Sequence, residues 1–282
     1  MEKVKEEKIN IYRILAYFII YSIVGFIVET LYALVVYGTL ESRQGFLYGP
    51  FCPIYGVGAL AIILTLKNLQ LDVHKLFIGG FLVGGVTEYL VSLIGEYVLN
   101  VNWWDYSDRF LNINGRVCFA FCCFWGVLTV YLLKVLNPHI DKIIDKIKAK
   151  FNINILKKVV LIVTILMLID GVITCIAENL FIAKTVVENN LPAKSENLYR
   201  NIYDTIYMNK YIKHHADKFW NEWVMIKVYP NLRIVLKDDT FVYAKDYYKY
   251  VKPYYYKFSS TWRGDIVKVL KHEDRNIEEE VI

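Results

Sequence analysis

Apolar residues gather in five long runs, near 12–37, 53–66, 76–99, 117–136 and 159–182. Most of them reach about 20 residues, enough helix to cross a hydrocarbon layer of roughly 30 Å. The second run is shorter. It opens after Pro50 and Pro53, as a helix entered through a tight loop would, and is expected to be broken or only partly spanning. The pattern predicts an all-α integral membrane protein with five transmembrane helices. A four-helix core occupies 1–136, a connector 137–158 and a fifth transmembrane helix 159–183. The first run lacks a small-residue cleavage site and is expected to be retained as a helix.

The connector has a different period. Ile140, Ile143, Ile144, Ile147 and Phe151 form one stripe, with Asp141, Lys142, Asp145, Lys146 and Lys148 opposite. Asn137 and Pro138 are suited to start such a helix. It reads as a helix lying on the inner leaflet, or as a dock for a cytoplasmic partner. After Ala183 the apolar runs end. Tyr199, Tyr203, Tyr207 and Tyr211 step by four, which predicts a helix. Leu232–Leu236 and Thr240–Tyr243 flank Lys237-Asp238-Asp239 as a short β-hairpin. A small, Tyr-rich α+β domain over 184–282 is expected, ending in a frayed acidic tail at Glu278–Glu280.

Composition agrees with a membrane protein. The chain is 56% hydrophobic and 22% charged, against about 45–50% and 25% for a soluble domain. The net charge of +5 does not indicate nucleic-acid binding, because the basic residues flank apolar runs. Placing the N-terminus in the cytoplasm puts thirteen Lys and Arg on that side, from Lys3 to Lys158. Only Arg43, Arg109 and Arg116 remain in the two opposite loops. Five spans then leave 184–282 extracytoplasmic.

A parallel repeat of two helices is written into the first four runs. Gly25, Glu29 and Leu31 recur as Gly84, Glu88 and Leu90, offset by 59. Gly45, Cys52, Tyr55, Gly56 and Val57 recur as Gly115, Cys122, Trp125, Gly126 and Val127, offset by 70. Chance reuse of a few residue types in apolar helices is the alternative.

Ionisable residues inside a membrane are costly and mark function by default. Gly80, Gly84, Glu88, Ser92 and Glu96 form one face of the third run, and Tyr21, Gly25, Glu29 and Ala33 a similar face of the first. The fifth run carries Asp170 and Glu178. Glu88 and Asp170 lie 13 and 12 residues past Lys75 and Lys158, close to the midplane. Glu29, Glu88, Glu96, Asp170 and Arg116 are therefore the candidate transport or ion-binding residues. Salt bridges that merely lock helices, with Arg43 and Arg116 as partners, are the competing reading. Trp103, Trp104, Asp105 and Tyr106 are outer-loop candidates, alternatively an aromatic belt. Cys118, Cys122, Cys123 and Cys52 read as small apolar residues, so neither metal nor other cofactor is expected. No nucleophile–base or metal constellation and no phosphate loop appears, so no enzyme activity is expected.

The segments Gly45-Phe46-Leu47-Tyr48-Gly49-Pro50, Pro53-Ile54-Tyr55-Gly56, Glu88-Tyr89, Trp103-Trp104-Asp105-Tyr106-Ser107, Asn114-Gly115-Arg116 and Trp125-Gly126 carry a resemblance. Their order and spacing resemble the bacterial ABC-transporter type IV (CmpB-like) permease family over 15–136 and into the fifth run. The resemblance implies a multi-pass protein of the bacterial cell membrane, a permease subunit dependent on a separate ATPase docking on 137–158. With so few spans, assembly into a homo-oligomer is expected. The alternative is a non-transport envelope sensor or assembly protein that presents 184–282 outside.

Overall fold

The computed structural model describes residues 10–69, 72–98 and 104–258; Trp103 and the acidic tail lie outside them. The chain is mostly helical, and four of its described helices are long and apolar enough to cross a membrane. α1 is Ile11–Tyr37, α2 Pro53–Leu66 and α3 Val73–Val98. α4 is Phe119–Tyr131, α5 Asn137–Lys150 and α6 Ile153–Glu188. The second apolar run forms only the short α2, so five expected spans become four long helices and one short one. Its start explains why. Cys52 N–H donates to Ser22 O at 2.8 Å, which sets the first turn of α2 against the middle of α1 rather than its end.

The described chain divides into two compact units. One contains the residues before Phe26 together with Tyr48–Ile173, and is built on the repeat. Gly25 lies so close to α2 that an added Cβ would overlap Tyr55 Cβ and Cγ. Gly84 stands in the same relation to Trp125 Cβ and Cγ. A Cβ on Gly56 would lie 2.8 Å from Phe18 O, and one on Gly126 2.9 Å from Phe77 O. Each pair maps onto the other by offsets of 59 and 70, so α1 packs on α2 as α3 packs on α4. The equivalent rings of Tyr55 and Trp125 pack against each other at 6.2 Å. Close approach through glycine is the usual way apolar helices associate where lipid provides no hydrophobic driving force. Tyr17, Tyr21, Ile62, Ile63, Leu66, Leu76, Trp125, Leu132 and Ile140 make the buried core of this unit.

Asn137 does not begin a helix. α4 continues into α5 through a π-helical turn, Leu132–Leu136, and Asn137 has helical φ and ψ. Pro138 supplies the reason: inside a helix its ring crowds the carbonyl four residues back. Widening the preceding turn, so that Asn137 N–H reaches Leu132 O, keeps the helix continuous. The apolar stripe of α5 divides: Ile140 is buried and Ile144 packs on the core, while Ile143, Ile147 and Phe151 are exposed.

The other unit joins Phe26–Leu47 to the residues from Thr174 onward. It holds the far end of α6, α7 (Glu196–Ile202), α8 (Lys210–Phe219) and α9 (Glu222–Val228). The predicted hairpin is present: β2 (Arg233–Val235) pairs antiparallel with β3 (Phe241–Tyr243), with Ile234 opposite Val242. A second ribbon pairs β1 (Thr39–Leu40) with β4 (Tyr256–Lys257). The tyrosine ladder holds in part. Tyr199 and Tyr207 are buried and Tyr203 stacks on Tyr207 at 5.1 Å. The helix then breaks at Asn209, whose side chain caps α8 by accepting the N–H groups of Tyr211 and Ile212, leaving Tyr211 85% exposed. Asp217 accepts from the Tyr207 hydroxyl and pairs with Lys213 at 3.1 Å and Lys184 at 3.7 Å. Partial burial works against its ionisation, but these hydrogen bonds and charges outweigh it and hold the carboxyl below the usual range.

Candidate functional site

The glycine–carboxylate face of α3 is real in three dimensions. Gly80 abuts the Thr129 side chain and Gly84 abuts Trp125, which brings α4 close enough for Glu88 to reach it. Glu88 is 5% exposed. Its Oε2 accepts from Trp125 Nε1 at 3.2 Å and its Oε1 from the Tyr106 hydroxyl at 3.0 Å. Tyr106 in turn lies flat on Phe121, with ring centroids 4.5 Å apart. Both donors are neutral, and Glu88 makes no ion pair among the described residues. A buried carboxylate so placed can take up a proton or attract a cation, because neutral donors leave its charge uncompensated.

The loop bearing Tyr106 is rigidly made. Tyr106 N–H donates to Gly115 O at 2.7 Å, and Trp104 Nε1 donates to Arg116 O at 3.0 Å. Asp105 Oδ1 accepts from the Ser107 N–H and hydroxyl. Gly115 has φ +65, and a Cβ there would fall 2.5 Å from Asp105 Oδ1, so the turn requires glycine twice over. Asn114 donates to the Tyr89 hydroxyl at 2.9 Å. Arg116 pairs with Glu96 and lies over the Tyr89 and Tyr97 rings, 5.6 and 5.8 Å from their centroids. The Arg116–Glu96 pair thus joins the loop to α3, whereas Arg43 pairs with Glu41 and not with a carboxylate of a long helix.

Asp170, midway along α6, has a backbone partner. Its two carboxylate oxygens accept the Tyr48 N–H at 3.1 and 3.2 Å. Within the other unit, Thr174 Oγ1 similarly accepts the Leu47 N–H at 2.7 Å. Non-helical backbone among apolar helices needs such partners. Asp170 thus holds loop backbone, whereas Glu88 accepts from two side chains. Glu29 is half-buried, and Glu178 is buried to 1% exposure with Oε1 lacking a hydrogen-bond partner among the described residues. No group of three His, Cys, Asp or Glu is arranged to hold a metal among the described residues, and Cys52, Cys118 and Cys122 are buried.

Sequence reasoning missed a dense polar cluster. Asp141 on α5 accepts from Arg13 at 2.8 Å, Lys67 at 2.9 Å, Asn137 at 3.0 Å and the Tyr17 hydroxyl. The Tyr21 hydroxyl donates to Asn137 at 2.9 Å. The cluster fastens the start of α5 to α1 and to the end of α2. Arg13, Tyr17 and Tyr21, stepping by four at the entry of an otherwise apolar helix, were the available signal.

Neither a curated protein nor a solved structure matches the chain. The sequence model of one family, described as "Putative ABC-transporter type IV", matches residues 16–175. That stretch is more than half of the chain and contains the repeat, the Glu88 site and the Asp170 contact. The chain is a multi-pass membrane protein, and it belongs to that ABC-transporter type IV family.

Proposed function

We propose that the chain is a permease subunit of a transporter powered by a separate ATPase, with Glu88 as the residue that meets the transported species. The observation that carries this reading is the buried Glu88 carboxylate. It is held by Tyr106 and Trp125 without a compensating cation among the described residues, beside the Tyr55–Trp125 contact that relates the two repeats. The N-terminus lies in the cytoplasm, following the distribution of Lys and Arg. The loops ahead of α2 and α4 enter from the outer side, so that both helices start within the bundle and run inward. Asp170 serves the first of these loops as a backbone partner. Its role becomes structural, and Glu88, beside the contact between the repeats, is the carboxylate singled out for transport. The family name supports a partner ATPase, and the exposed residues of α5 offer it a surface within 137–158. Several copies assemble to complete a pathway.

A second reading, an envelope protein that presents the C-terminal unit outside, is favoured by the length of α6. Its 36 residues extend about 54 Å, well beyond a hydrocarbon layer of roughly 30 Å, and its far end supplies Leu180 to a core with Tyr207 and Ala216. Affinity purification of the full-length protein in mild detergent, with mass spectrometry of what accompanies it, separates the two. The permease reading expects a stoichiometric nucleotide-binding subunit, lost when Lys142, Lys146 and Lys148 are changed to Glu. Recovery of envelope proteins or of the chain alone overturns it.

A further inference from the structure

Between the first turns of α3 and the last turns of α4 the surface carries a groove of about 550 Å³, within the range of small-ligand sites. Its lining changes character along its length. Ile78 and Val127 mark one end, Phe77, Val130 and Tyr131 the middle, and His74 and Lys134 the other. His74 and Lys134 are its only basic lining residues, both exposed, and they lie at the end of the bundle where Lys67 and Arg13 gather on Asp141. Nearby, the Lys75 charge is met by Asp72 at 3.2 Å. Along α3, Ile78 is ten residues, roughly 15 Å, short of Glu88, which does not line the groove. It is therefore separate from the candidate transport site.

We propose that this groove is a binding site for an anionic glycerophospholipid of the leaflet at the basic end of the bundle. An acyl chain lies along Ile78, Phe77 and Val130, and the headgroup phosphate meets Lys134 and His74. Apolar surface at this depth excludes water, so a hydrocarbon chain is its natural occupant. Basic pockets between membrane helices select anionic headgroups by charge. Tyr131 adds an amphipathic ring at the level where chain gives way to headgroup. A zwitterionic lipid offers the same chain but carries a choline cation that Lys134 repels.

The test uses purified full-length protein, delipidated in mild detergent and given phosphatidylglycerol or phosphatidylcholine. Native mass spectrometry should find one phosphatidylglycerol retained per chain. The unfolding midpoint should rise by about 2–4 °C more with phosphatidylglycerol than with phosphatidylcholine. Val127→Trp, which fills the groove from an exposed position, should abolish retention. Lys134→Gln, a surface change that spares the fold, should erase the preference between headgroups. Equal retention of the two lipids by the unaltered protein overturns the proposal, as does a phosphatidylglycerol preference that survives both substitutions.

Discussion

At the residue scale, Glu88 can be separated from the groups that only hold the fold. Gln is nearly isosteric with Glu. Its carbonyl can accept from Trp125 Nε1, and its amide can donate to the Tyr106 hydroxyl, which then reverses its role. Glu88→Gln is therefore expected to fold in normal amount, with an unfolding midpoint within a few degrees of the parent, while transport is lost. Glu88→Leu leaves the Trp125 N–H and Tyr106 O–H without an acceptor, at about 1–3 kcal/mol each, and should lower both midpoint and yield. Melting curves and yields of the two variants, read beside transport, check the assignment; a Glu88→Gln protein as unstable as Glu88→Leu would make the carboxylate structural. Some of this was legible. The four-residue step of Gly80, Gly84 and Glu88 marks the face, and Arg116 reads from the sequence as an outer-side partner for a carboxylate. Asp141 does not stand out, because a carboxylate among lysines on an amphipathic helix reads as solvated. Its partners Arg13 and Lys67 stand far from it in sequence, and only folding gathers them.

At the scale of elements, the repeat predicts paired consequences. Gly56 and Gly126 each face a backbone carbonyl, Phe18 O and Phe77 O, across their helix contacts. A carbonyl cannot swing aside as a side chain can. Gly56→Ala and Gly126→Ala should each push the helices apart at a cost of about 1–3 kcal/mol, with matching losses of monodisperse protein on size exclusion. Gly79→Ala meets only the flexible end of Leu66, at 3.0 and 3.1 Å, and should be tolerated. Unequal effects at Gly56 and Gly126 would show that the two helix pairs are not equivalent in packing. The offsets of 59 and 70 made this repeat readable because glycine and aromatic positions are set by close contact. The α4–α5 junction was misread for a related reason. Asn137-Pro138 has the chemistry of a helix start, and only the π turn ahead of it reveals that the helix runs on. The short α2 announced its brevity but not its starting level, which depends on a backbone bond to Ser22.

At the scale of the whole molecule, the part least visible in the sequence is how the C-terminal unit is composed. Its β4 pairs with β1, a two-residue strand that follows α1 directly. So short a strand has no periodicity to detect, and its partner lies near the far end of the chain. Pairing between them puts Thr39 and Lys257 on the same side of any membrane the helices cross, which ties the side of the C-terminal unit to the exit of α1. With a cytoplasmic N-terminus, α1 delivers Thr39 to the outer face, and α6 must deliver its far end there too. The proposed orientation can thus be read at two places. Starting from a variant with all five Cys replaced, single cysteines at Ser195 and Lys237, both exposed or half-exposed in the C-terminal unit, should react in intact cells with a maleimide that does not cross membranes. A cysteine at Lys146 on α5 should react only after permeabilisation. If the Ser195 and Lys237 positions also required permeabilisation, α6 would end in the cytoplasm. The β1–β4 pairing would then oblige α1 to start outside, and the distribution of Lys and Arg would have misjudged the whole arrangement.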